Sequence, residues 1–103
     1  MIMRHEVILI KDVFKRDDRV VSRTIAGETL LVPVRGNLAD MERIFALDPV
    51  GDYIWTHLDG EISLEDMISG VLETFDVDKQ TASVDIMVFF DELRQAGLIV
   101  KVG

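Results

Sequence analysis

Few residues of this chain have the types and spacing that covalent chemistry needs. There is no cysteine, which removes disulfides, thiolate nucleophiles and cysteine-ligated metals and fits a reducing, cytoplasmic setting. The two histidines lie far apart, His5 near the start and His57 beside Leu58. Neither has a second histidine within ligand spacing, and a metal site needs more donors than that. Carboxylates are numerous, but Asp48, Asp59, Asp66, Asp76 and Asp78 stand where helices start or stop and read as caps. Ser22, Ser63, Ser69 and Ser83 lack a nucleophile-elbow context, and no glycine-rich phosphate loop is present. No catalytic residues, metal ligands or cofactor-binding residues are expected, so the reading is a non-enzyme that works by binding.

The elements that could position a binding surface follow from the pattern. With 103 residues, 49% of them hydrophobic, the chain is long enough for one domain spanning 1–103 with a real core. No apolar run approaches membrane-spanning length, and the start lacks the long apolar stretch of a signal peptide. Residues 1–19 read as a short strand or a flexible arm. Val20–Ala26 and Glu28–Val34 read as two strands turning at Gly27, since glycine supplies the positive φ of a tight hairpin. Pro33 should sit at an edge or a strand end. After a polar loop at Arg35–Asp40, Met41–Leu47 reads as a third strand, with Phe45 and Leu47 on one face and Ile44 and Ala46 on the other.

Three helices follow. Asp48-Pro49 opens the first, to about Leu58, with Asp as N-cap, Pro at the first turn and Gly60 as its stop. Trp55, the single tryptophan, reads as a core anchor. Ser63 opens the second in a capping-box pattern, with Leu64, Met67, Ile68, Val71, Leu72 and Phe75 at helical spacing. Asp78 opens the third, and Gly97 closes it before a short extended segment at Leu98–Val100. On this third helix Ala82, Ile86, Phe89, Leu93 and Ala96 form one apolar stripe. Val84, Met87, Val88 and Phe90 are apolar as well, which is more apolar surface than a small core requires. The fold class is therefore α+β, winged-helix-like: an N-terminal three-stranded antiparallel sheet followed by a three-helix bundle.

Charge bears on partners. Net charge is −8, but residues 1–47 carry net +1 and residues 48–97 carry net −10. The acidic half repels phosphate backbones. The third helix presents Asp85, Asp91 and Glu92 against Arg94, unlike a winged-helix DNA reader, so no nucleic-acid partner and no membrane are expected.

The runs IFALDPVGDYIWTHLDG, SLEDMISGVLETFDV and VFFDELRQAGLI, in this order and spacing, resemble the PqqD family, small proteins named for pyrroloquinoline quinone biosynthesis and related to the recognition elements of ribosomal-peptide pathways. The likeness covers about Phe14 to Ile99. It implies a peptide chaperone without a cofactor of its own, binding the leader segment of a precursor peptide and presenting it to a modifying enzyme, often a radical-SAM protein. In that family the leader adds as a strand beside the third strand and lies against the third helix. Mapped here, the peptide-binding residues are Arg43, Ile44, Phe45, Ala46 and Leu47 on the strand and Val84, Met87, Val88 and Asp91 on the helix. This agrees with the physics of an open strand edge, whose unpaired N–H and C=O groups accept a further strand. The chain departs at Leu47-Asp48, where quinone-pathway members commonly have Leu-Asn, and its loop Arg35–Asp40 looks longer. The expected state is monomer or homodimer. Other readings are a structural or regulatory interaction module that self-associates, or a winged-helix DNA binder.

Overall fold

The computed structural model describes residues 8–35, 38–39 and 44–102, without the side chains of 35, 38 and 39. Its order is β1 (Val13–Arg16), β2 (Val20–Ile25), β3 (Glu28–Arg35), β4 (Leu38–Ala39), β5 (Phe45–Leu47), α1 (Pro49–Thr56), β6 (Asp59–Ser63), α2 (Leu64–Thr74), α3 (Lys79–Gln95) and β7 (Ile99–Val102). This is the expected α+β class. β2 and β3 form the expected hairpin, from Val20↔Pro33 to Ile25↔Glu28. Its turn places both Ala26 (φ 53°) and Gly27 (φ 81°) in the left-handed region, as a primed hairpin turn demands. β5 pairs antiparallel with the other side of β3 at Thr29↔Leu47, Leu30↔Ala46 and Leu31↔Phe45, and β4 follows along that side at Val34↔Ala39. Pro33 is buried inside β3, not at the sheet edge. It falls between the stretches that pair with β5 and β4, where its missing N–H costs no described ladder bond.

A second sheet, in the order β6–β1–β7, was not expected from the sequence. It brings Val13 opposite both Ser63 and Val102. The segment 59–63, read as a helix stop and cap, is the strand β6. Gly60 (φ 86°) is correspondingly not a helix terminator. It lies where the β1–β6 register shifts, a bulge position that favours a left-handed glycine. α1 stops at Thr56, and the Arg16 guanidinium donates to the carbonyls of Trp55 (2.9 Å) and Thr56 (3.0 Å). A cation is well placed at that negative helix end.

The other caps are as the sequence indicates. Ser63 accepts from Asp66 N–H (3.1 Å) and Asp78 from Thr81 N–H (3.0 Å). At the end of α3, Gly97 N–H donates to the Arg94 carbonyl and Leu98 N–H to Leu93, the Schellman pairing around a positive-φ glycine. The core gathers Phe14 from β1, Leu31 from β3, Ile54, Trp55 and Leu58, Met67 and Val71 from α2, and Ile86, Phe90 and Leu93 from α3. Phe14 and Phe90 meet edge-to-face at 5.6 Å. The α3 stripe thus differs from expectation. Phe90 takes the deep position, and Phe89 is only half-buried, because two neighbours on a helix point about 100° apart and cannot share one core face.

Candidate functional site

The site is built where β5 runs directly into α1, opposite α3. Asp48 makes that corner: its Oδ1 accepts Gly51 N–H at 2.7 Å, with Pro49 in the first turn. A Cβ at Gly51 would come within 3.3 Å of the same Oδ1 and 3.4 Å of Leu47 Cδ2, so glycine lets α1 start close against β5.

The polar groups of β5 can be assigned from register. Across the β2–β3 pair Val34 N–H donates to the Arg19 carbonyl. Residues of β3 alternate in the side to which they aim their backbone groups, so Thr29 and Leu31 aim at β5. Their opposite residues, Leu47 and Phe45, take those bonds. Ala46 between them turns its N–H and C=O away from β3, toward an edge with which no described strand pairs. Side chains alternate as the sequence predicts: Leu47 is buried and Phe45 half-buried, while Ile44 and Ala46 are exposed.

Beside this edge lies a cavity of about 250 Å³, lined by Ala46, Leu47, Asp48, Val50, Gly51, Ile54, Asp85, Ile86 and Phe89. Its floor is aliphatic and aromatic, and its carboxylates are Asp48 and Asp85. A wider depression of about 720 Å³ continues from the same Ala46–Asp48 backbone toward the hairpin turn, bounded by Glu28, Thr29, Pro49 and Asp52 among others.

Of the sequence-derived binding residues, Ala46 and Leu47 line the cavity, with Phe45 and Ile44 next along the strand. Arg43 lies outside the described residues, as does the Met41–Arg43 part of the expected strand. On α3 the cavity is met by Asp85, Ile86 and Phe89, not by the four residues expected there. Val88, 52% exposed, is one turn from Asp85 and borders the lining. Val84, 59% exposed, points away from Ile86. Met87 is half-buried against the core and, at one residue beyond Ile86, falls on the flank opposite Asp85. Asp91 shares Met87's flank, and its carboxylate is taken by Arg94 (2.9 Å) and Gln95 (2.6 Å). From the sequence Phe89 reads as a member of the core stripe and Asp85 as one of the acids of the helix, so the Phe89-Phe90 doublet obscures this i, i+4 pair.

The described residues contain no group of three or more histidines or acids placed to hold a metal ion, and no described helix is long and apolar enough to cross a membrane. The architecture is that of a small α+β domain presenting an open strand edge next to a helix and an apolar cavity. Residues 28–99 match the family described as Coenzyme PQQ synthesis protein D (PqqD), and the chain belongs to that family. Among solved structures it is similar to one titled "TbiB1 in Complex with the TbiA(beta) Leader Peptide", at 28% identity and a TM-score of 0.65, over 82% of this chain and 93% of that one. No curated protein matches significantly.

Proposed function

We propose that this protein is a non-catalytic adaptor that binds the leader segment of a precursor peptide by strand addition at β5 and presents it to a modifying enzyme, of the radical-SAM type. The observation that carries the reading is the outward N–H and C=O of Ala46 beside an apolar cavity. Main-chain pairing supplies affinity there, and a side-chain pocket supplies selection. Family membership supports it, as does the similarity to a protein whose solved complex holds a leader peptide. The strand half of the site is Arg43–Leu47. The helix half is Val88 with Asp85 and Phe89, while Val84, Met87 and Asp91 are assigned to the outer and far faces of α3, where a longer leader or the enzyme reaches them.

The test is a titration of isotope-labelled protein with the leader of a short precursor gene adjoining its own. Amide shifts should concentrate at Phe45–Leu47 and Asp85–Phe89. Shifts confined to α2 or β7, or no binding, would sink the proposal. Co-purification with a neighbouring radical-SAM enzyme, strengthened by the leader, tests the partner.

A further inference from the structure

The two depressions that meet at Ala46–Asp48 differ in chemistry. The one against α3 is floored by Leu47, Val50, Ile54, Ile86 and Phe89. The one toward the hairpin turn is bounded by Glu28, Asp48 and Asp52, and Asp85 stands on the wall of the first. Among the described residues, no lysine or arginine lines either.

Two of these four acids have a role in the fold and two do not. Asp48 caps α1, and Asp52 sits in the first turn of that helix, where a negative charge is favoured. Asp85 has neither role. It lies well inside α3, beyond the first turn, is exposed, and has no ion pair or hydrogen bond from its carboxylate among the described residues. Glu28, at the start of β3, is likewise unpaired among them. The peptide edge is therefore bordered by carboxylates free to take a cation.

Resting on the peptide-binding reading above, we infer that the trough selects a cationic leader: an extended segment that seats one apolar side chain in the α3-side cavity and carries lysine or arginine within about three positions of it. Both depressions share Ala46–Asp48. Alternate residues of a strand are about 7 Å apart, so one short segment reaches both. Asp85 is the specificity-determining residue at the cavity, and Asp52 and Glu28 extend the preference toward the turn. An acidic leader would be repelled by the same groups.

The experiment is selection of short random peptides displayed against the immobilised full chain, with the selected peptides then titrated into labelled protein. The expected result is enrichment of Lys or Arg near a single apolar residue, with amide shifts at Ala46 and Phe89. Asp85→Asn and Asp52→Asn should each weaken such peptides about two- to fivefold, in the range of exposed ion pairs, with little change for peptides whose basic residue is replaced by glutamine. Salt at about 1 M, where the Debye length is about 3 Å, should remove the difference between wild type and variants. Peptides that shift Ala46 and Phe89 yet show no basic bias, or bind Asp85→Asn equally well, overturn the charge selection and leave strand addition standing. Selected peptides that shift neither residue overturn both.

Discussion

The two sheets of this molecule are stabilised differently. In β6–β1–β7 the strands are short and far apart in sequence, and they are held from one side by helices: Phe14 and Ile99 are buried, and Phe14 packs on Phe90 of α3. In β2–β3–β5 the ladder is longer, but β2 is exposed along nearly its whole length, Ile25 to 57%. Leu31 and Leu47 are its main anchors in the core. The first sheet is held by what covers it. The second is held by its turn and its register, and so it can leave an edge open for a partner.

The largest effect should separate the sheets by stability. Phe14→Ala removes a fully buried ring and its edge-to-face partner, and should cost about 3–5 kcal/mol. Ile25→Ala removes an exposed side chain, and should change stability by no more than about 0.5 kcal/mol. Urea unfolding of the two variants checks this, and similar losses would mean that the hairpin is as much part of the core as β1.

The next prediction addresses function. Ala46→Pro deletes an N–H that points away from β3, at an edge position where proline is tolerated. Leader affinity should fall at least about tenfold, or ~1.4 kcal/mol, while the unfolding midpoint stays near that of wild type. Calorimetry with the leader and a thermal melt together decide it. Unchanged affinity would show that the peptide does not pair with β5.

Much of this contrast was legible in the sequence. Asp48, Ser63 and Asp78 announce helix starts because a side-chain oxygen and a following run of helical spacing are local signals. Gly27 announces the hairpin for the same reason. The small sheet was not legible. Val13 pairs with Ser63 and Val102, contacts distant in sequence, and DGEIS has little strand character of its own; its neighbours impose the strand. On α3 the apolar surplus was visible, but not which phenylalanine goes inside, because Phe89 and Phe90 both fit the period within its tolerance. The facing of Phe45 and Leu47 against Ile44 and Ala46 followed from alternation, which has only two phases to choose between. Which residues of α3 meet the cavity depends on a rotation that only packing sets.

The hairpin turn offers a smaller test in the opposite direction. Ala26 adopts φ 53°, a conformation that costs a residue with a Cβ about 1 kcal/mol or more and that asparagine tolerates better. Ala26→Asn creates the Asn-Gly pair favoured in such turns, and should stabilise the hairpin by up to about 1 kcal/mol. The gain should appear as slower amide exchange across β2–β3 with no change in β6–β1–β7. Gly27→Ala should act oppositely, since its φ of 81° is adverse for any side chain. Equal changes in both sheets would mean that they unfold as one unit and that the contrast is only geometric.

The smallest effect concerns the junction between the sheets. Asp17 follows β1, and its N–H donates to the Leu98 carbonyl while its own carbonyl accepts from Val20 at the start of β2. Its carboxylate takes the Arg19 backbone N–H at 2.8 Å and the guanidinium at 3.0 Å through both oxygens. The guanidinium hydrogen bonds, followed by the backbone one, lower its pKa from 3.8 to about 2. A carboxyl lowered on folding contributes stability that is complete above its unfolded pKa and is lost as pH falls through the folded one. The Asp17 contribution should therefore be whole at neutral pH and disappear between about pH 4 and pH 2. Asp17→Asn should flatten that part of the acid limb, but only modestly, because Arg19 is largely exposed and solvent screens the pair. Denaturant unfolding of both proteins at neutral pH and near pH 2 measures it. They should differ at neutral pH and converge at the acid end. A constant offset across the range would mean that Asp17 joins the sheets through its backbone bonds alone.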